Sequence, residues 1–270
     1  MNTVLSLIIL FTYQDISRDI NYTISRYIID HLPQFLNMSM TELSKNCFVS
    51  TTSIKKFYQM LGFNSYNVFK KHLETSLNTR IHQMKIRYKN MNQEDWYQSL
   101  SSFYTEKELK ILDEKLNSIV KKIVKYQKVS IIGSISSNML LQSFIEDMVI
   151  MGVPTHIHNI TYNYTIEDCD QLTFFISLSG RLITTYPQKY NELTNNIEDL
   201  VLFTTDTHYD SVLPAKSLKG ESGDFILLCI FNIIKLKYSE CLITLYKSRN
   251  ESDYINVFCP IIASARKGRK

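Results

Sequence analysis

Residues Ser39 to Gly62 constrain this chain more than any other stretch, because their punctuation fixes two short helices joined by a tight turn. Ser39-Met40-Thr41-Glu42 has the spacing of a capping box, in which hydroxyl and carboxylate each take a free backbone N–H of the first turn. The helix it opens runs to about Asn46, with Leu43 inward. Cys47-Phe48-Val49 is long enough only for a turn. Ser50 then caps a second helix that ends at Leu61, with Gly62 placed for a left-handed terminus. At about 100° per residue, Ile54, Phe57 and Leu61 share one stripe, and Thr52, Lys55, Lys56 and Gln59 fall opposite. A buried stripe backed by hydroxyl, basic and amide groups suits a helix that enters the major groove of DNA. A plain helical hairpin with a solvated face fits the same spacing, so the pattern alone leaves both open.

Charge favours the DNA reading. The net charge is only +4, but between Ser50 and Asn90 the residues Lys55, Lys56, Lys70, Lys71, Arg80, Lys85, Arg87 and Lys89 face Glu74 alone. That local +7 leaves −3 for the rest of the chain, and it surrounds the second helix as a phosphate-binding surface requires. At 270 residues there is room for two cores, and 44% apolar with 21% charged residues describes a soluble globular protein. Cys47, Cys169, Cys229, Cys241 and Cys259 are scattered, with no C-x-x-C pair and no Cys/His cluster. The expectation is a reduced, cytoplasmic protein with no structural zinc, disulfide framework or cofactor. Val4 to Phe11 is apolar but falls far short of the roughly 20 residues that span a bilayer, so no membrane partner is expected. It reads as a first helix packed on the N-terminal core or across a dimer.

Further along, Ile24, Tyr27, Ile28 and His31 recur at helical spacing before Pro33, and a helix from Ser65 to about Leu77 places Val68, Phe69, Leu73 and Leu77 inward. Residues 79–105 read as a connector with some helix and no core of its own. Glu106 to Tyr126 is one amphipathic helix. At Lys128 the character changes: short apolar runs at 129–132, 154–158, 172–177 and 200–204 alternate with helical stretches at 137–151, 183–195 and 223–237. That alternation predicts an α/β domain built on an open, mostly parallel sheet, with ligands beyond the carboxyl ends of the strands. His156 and His158 alternate on the second strand, one expected at solvent and the other toward a loop.

The order of these parts resembles the RpiR/MurR family of bacterial transcriptional regulators, which join a helix-turn-helix to a sugar isomerase (SIS) domain. Leu36-Asn37-Met38-Ser39-Met40-Thr41-Glu42-Leu43-Ser44 is similar to that family's "LNMSIxELA" segment. Val49-Ser50-Thr51-Thr52-Ser53-Ile54-Lys55-Lys56-Phe57 is similar to its "VSxxTIxRF" recognition helix, with Lys56 in place of the usual arginine. Leu61-Gly62-Phe63-Asn64-Ser65-Tyr66 is similar to "LGFxGF". In the second half, Gly133-Ser134-Ile135-Ser136-Ser137 resembles the SIS turn "GxGSS", and Ile176-Ser177-Leu178-Ser179-Gly180-Arg181-Leu182 resembles "ISxSGxT". Two positions depart: Ile135 replaces a glycine, where a branched side chain would crowd a phosphate, and Leu182 replaces a threonine donor that Thr184 or Thr185 could partly supply.

The resemblance implies a helix-turn-helix domain at 1–78, a linker at 79–105, a SIS-like sensing and oligomerisation domain at 106–250 and a tail at 251–270. It implies double-stranded DNA read by Ser50, Thr51, Thr52, Ser53, Lys55, Lys56 and Gln59. It also implies a phosphosugar effector at Ser136, Ser137, Ser177, Ser179, Gly180 and Glu221, in a homodimer or homotetramer. An isomerase would need an acid–base pair poised over the sugar, and the contexts of His208 and Glu221 are too ordinary to supply one. Recognition without turnover is therefore the expectation. The alternatives are a phosphosugar isomerase with an appended helical domain, and a regulator whose SIS domain is a ligand-free dimerisation module. Arg181 reads as solvent-facing.

Overall fold

In the computed structural model the described residues are 3–13, 18–161, 166, 169–214 and 222–247, the side chains of Lys89 and of residues 245–247 excepted. The first half is helical: α1 (Thr3–Thr12), α2 (Ile20–Asp30), α3 (Leu32–Phe35), α4 (Met40–Asn46), α5 (Thr51–Met60) and α6 (Tyr66–Asn90). Ring packing holds this head together. Phe57 of α5 sits 5.8 Å from Phe11 and 6.1 Å from Phe69, and Phe35 lies 5.9 Å from Phe69. The capping box is present: Glu42 N–H donates to Ser39 Oγ at 3.2 Å, and Ser39 N–H donates to Glu42 Oε2 at 2.7 Å. The turn between α4 and α5 places Phe48 in the left-handed region at φ 55, and the residue is 96% exposed. Gly62 ends the pair at φ +88, a conformation that costs glycine nothing.

The helix expected at 65–77 runs on to Asn90 because Leu77, Ile81 and Met84 continue the buried spacing. After α7 (Gln93–Leu100) comes α8 (Glu106–Tyr126), whose Thr105–Glu108 capping box and Gln127 left-handed terminus fix both ends. Ile81, Met84, Leu100 and Tyr104, from the stretch expected to lack a core, are buried in the same continuous apolar cluster as α1 and α8.

The second half is an α/β unit. It runs β1 (Val129–Gly133), α9 (Ile135–Leu140), α10 (Gln142–Ile150), β2 (Thr155–Asn159), β3 (Leu172–Ile176), α11 (Arg181–Thr185), α12 (Pro187–Asn196), β4 (Asp199–Phe203) and α13 (Ser222–Lys247). The four strands are parallel in the order β2-β1-β3-β4. Strands buried on both faces read as continuous apolar runs, which is why they stood out in the sequence. Two helices break earlier than their periodicity suggested. Leu141 separates α9 from α10, and Pro187, which lacks an N–H and disfavours helix before it, separates α11 from α12.

The head rests directly on the α/β unit. Val4, Leu5, Ile8 and Ile9 of α1 are buried, and α1 packs against α2, α6 and α10. Ser6 Oγ donates to Glu146 Oε1 at 2.6 Å. Deeper in this seam lies Asp147 of α10, with no exposed surface. Its Oδ1 accepts from Arg80 Nη2 at 2.6 Å and Nε at 2.9 Å. Its Oδ2 accepts from Tyr88 Oη at 3.0 Å, Lys235 Nζ at 3.1 Å and Arg87 Nη1 at 3.2 Å. Arg80 and Arg87, counted from sequence with the basic surface, therefore face inward. A buried carboxylate tolerates desolvation only with such a set of donors, and here they come from α6 and α13 at once. Among the described residues, no helix is long and apolar enough to cross a membrane.

Candidate functional site

In an open parallel sheet the crevice forms where neighbouring strands send their chains to opposite sides. Here β1 leads toward β2 and β3 leads toward β4, so that point lies between β1 and β3. A cleft of about 630 Å³ opens there, lined by Ser134, Ser136 and Ser137 after β1 and by Ser177, Ser179 and Arg181 after β3. Leu182, Thr185, Thr205 and the start of α13 at Gly223 and Asp224 also line it. The four serines expected from sequence thus converge, from loops separated by some forty residues of chain.

Local hydrogen bonds hold the hydroxyls in place. Ser134 Oγ accepts from Ser137 N–H at 3.2 Å and lies 2.9 Å and 3.0 Å from the Ser137 and Ser136 hydroxyls. Ser177, buried, accepts from Leu182 N–H at 3.1 Å, which occupies a lone pair and leaves the hydroxyl proton to donate. Ser179 Oγ accepts from Arg181 Nε at 3.1 Å, which orients the guanidinium on the cleft wall. Gly180 does not line the cleft but shapes it. Its φ is +72, and a Cβ there would collide with the Asp206 carboxylate. That carboxylate is fixed by His208, whose backbone N–H donates at 3.0 Å and whose Nδ1 lies 2.6 Å away; these contacts hold the Asp206 carboxyl below its ordinary range.

Both departures read from sequence change meaning in three dimensions. Ile135 is 52% exposed and absent from the cleft wall, so its branched side chain crowds nothing there. Leu182 lines the cleft, but the threonine hydroxyl it lacks has a near neighbour in Thr185. Arg181, read as solvent-facing, is both exposed and part of the wall, opposite in charge to Asp224. Ser134, Thr205 and Asp224 were missed; Asp224 lies at the start of a helix whose first turn alone gives no hint of the strand ends it meets. Glu221 lies outside the described residues, as do Cys259 and the tail. His208 pairs with Asp206 away from the cleft.

The second surface is α5. Ser50 Oγ accepts from Ser53 N–H at 3.0 Å and lies 2.9 Å from the Ser53 hydroxyl, so both serines serve the cap. Ile54, Phe57 and Tyr58 are buried, while Thr51, Thr52, Lys55, Lys56 and Gln59 form an exposed polar face. On α6 Lys71 is exposed too, whereas Lys70 turns back to donate to Met38 O at 2.7 Å. Among the described residues, no group of three His, Cys, Asp or Glu side chains is disposed to hold a metal.

The histidines of β2 correct the sequence reading. Residues two apart on a strand point to the same face, and both His156 and His158 are buried. His156 lies between two carboxylates, Asp30 and Asp170.

No curated protein matches the chain. Among solved structures, it is similar to the Vibrio vulnificus NanR protein complexed with ManNAc-6P. The two are 13% identical over 87% of this chain and 91% of that one, with a TM-score of 0.37. Residues 13–80, which carry α2 to α5 and the first part of α6, match the model of the helix-turn-helix domain of the rpiR family. That segment is a helix-turn-helix domain of the rpiR type.

Proposed function

We propose that the chain is a DNA-binding transcription regulator whose α/β unit responds to a phosphorylated sugar or amino sugar. Residues 1–78 are the DNA-reading head, 79–105 the connection, 106–250 the sensing and oligomerising unit, and 251–270 a tail. Thr51, Thr52, Lys55, Lys56 and Gln59 would meet bases and phosphates, with Ser50 and Ser53 holding the helix start. One observation carries the sensing reading: Ser136, Ser137, Ser177 and Ser179 converge with Arg181 on one cleft at the strand ends. Hydroxyl donors plus a guanidinium suit a phosphate dianion, and Asp224 across the cleft suits sugar hydroxyls or an amine.

The mechanism is a population shift. Ligand that bridges the loops after β1 and β3 favours one packing of α9 and α13, and α13 meets α6 at Asp147 through Lys235. In a homodimer that packing sets the spacing of two heads on about one turn of DNA. The role assigned to the cleft is binding of the effector, through the serine hydroxyls and the Arg181 guanidinium that line it.

Calorimetry with hexose, pentose and amino-sugar phosphates tests this. Each hydroxyl bond to the dianion contributes about 1.5–3 kcal/mol, so Ser177→Ala with Ser179→Ala lowers affinity by ~100-fold or more. A melting temperature close to that of the parent shows that the loop still folds without the Ser177–Leu182 bond. No heat with any of these phosphates at millimolar concentration refutes sensing and leaves an assembly scaffold.

A further inference from the structure

His156 lies on the edge strand β2 with 2% of its surface exposed, yet both ring nitrogens meet a carboxylate. Nδ1 is 2.6 Å from Asp170 Oδ2, and Nε2 is 2.6 Å from Asp30 Oδ1. The two acids belong to different parts of the molecule. Asp170 leads into β3 and is tied to β1 by Ser130, whose hydroxyl donates to its Oδ2 at 2.9 Å and accepts its N–H at 2.9 Å. Asp30 ends α2, inside the helix-turn-helix segment, with Arg26 Nε 3.6 Å from its other oxygen and the Lys128 charge nearby from the residue before β1. The ring therefore bridges the seam between head and sheet.

Proton counting fixes its state. An ionised carboxylate only accepts, and a neutral imidazole carries one N–H, so two such contacts require the doubly protonated ring. Burial alone would lower the His156 pKa, but the bonds to Asp170 and Asp30 outweigh it, against the Arg26 charge, and hold it above the ordinary imidazole value. Burial raises the carboxyls of Asp30 and Asp170, and the bonds to His156 reverse this, leaving both below their ordinary range.

We propose that His156 is a proton-dependent latch that seats the helix-turn-helix head on the sensing sheet through Asp30, and so makes the pose of the DNA-reading helix depend on pH. When the ring loses a proton, one carboxylate must face a bare nitrogen. Asp170 keeps its two bonds to Ser130, whereas Asp30 has Arg26 four residues away as a ready partner, so the contact across the seam is the one that opens. Asp147 still holds α6, and the head pivots rather than detaches. The sign follows from the raised pKa: the contact's stabilisation is complete below about pH 6.5 and is lost as pH rises through the folded-state value. The latch is independent of what occupies the serine cleft.

The test uses the full chain without DNA or ligand. Histidines labelled with carbon-13 are titrated by NMR from pH 5.5 to 9.5, with His156 assigned through His156→Gln. Small-angle scattering and melting curves are recorded at both ends of the range for the parent, His156→Gln and Asp30→Asn. The expected result is a His156 midpoint above 6.5 and a maximum dimension that grows across that midpoint in the parent alone. Both variants already show the larger dimension at pH 5.5, and their deficit in melting temperature there disappears by pH 9.5. A His156 midpoint at or below 6.5 overturns the proposal. So does an Asp30→Asn deficit that is the same at both ends of the range, or scattering that is identical for all three proteins at every pH. If His156→Gln fails to fold, through-bond correlation to the backbone assigns the ring in the parent, and a midpoint at or below 6.5, or a maximum dimension unchanged across it, overturns the proposal on the parent alone.

Discussion

Replacing Asp147 with asparagine would test how the head is tied to the α/β unit. The substitution keeps the side chain's shape and one acceptor oxygen but removes the charge that faces Arg80 at 2.6 Å, Lys235 at 3.1 Å and Arg87 at 3.2 Å. None of Asp147 is exposed, so water cannot replace the lost charge without opening the seam. Glu146, whose Oε2 lies 3.8 Å from Arg80 Nη2, compensates only in part. Removing one partner of a buried ion pair costs about 3–5 kcal/mol. For a chain of this size each kcal/mol moves the melting temperature by about 2–4 °C, so the loss is roughly 6–20 °C. Melting should be followed both by circular dichroism and by the fluorescence of Trp96, on the helix that packs against α13. A double-mutant cycle with Arg80→Ala isolates the pair from its neighbours. The deficit should persist at high salt, because the cluster is shielded from solvent ions. A drop of under about 2 °C, or additive single effects, would refute a buried ionic tie between α6, α10 and α13.

Two further outcomes follow from the same geometry. Gly180→Ala places a Cβ against the Asp206 carboxylate in a backbone of positive φ, so calorimetry should show lost phosphosugar affinity with at most a small fall in DNA affinity. If DNA and ligand binding fall together, the loop after β3 is not a local feature of the cleft. Light scattering on the full chain at micromolar concentration should return a dimer or tetramer, and a monomer would remove the two-headed mechanism.

Much of the architecture was legible because local chemistry and packing agreed. Ser39, Glu42 and Ser50 act within three residues of themselves, so their caps could be read from spacing. The buried strands announced themselves as short apolar runs, and the serine turns were visible because each follows a strand directly. What escaped depends on partners far along the chain. Arg80 and Arg87 looked like part of the basic surface, since nothing near them in sequence reveals an aspartate at 147. His156 looked ordinary because its carboxylates come from residues 30 and 170. The concern over Ile135 arose from composition at one position, whereas its direction is set by how α9 starts and turns the side chain outward. By contrast, the break at Pro187 and the continuation of α6 through Ile81 and Met84 carried local signals that were there to be read.

The central claim is that α5 reads duplex DNA and that the serine cleft governs how well. A duplex enriched in vitro against the full chain, followed by fluorescence anisotropy from 50 to 300 mM salt, measures it directly. The account predicts affinity that falls linearly with salt on logarithmic axes, a slope reduced by up to about two in Lys55→Ala with Lys56→Ala, and a shift of about fivefold or more on adding the sugar phosphate that calorimetry identifies. A folded double variant that binds with unchanged affinity and slope, indifferent to that ligand, would contradict it.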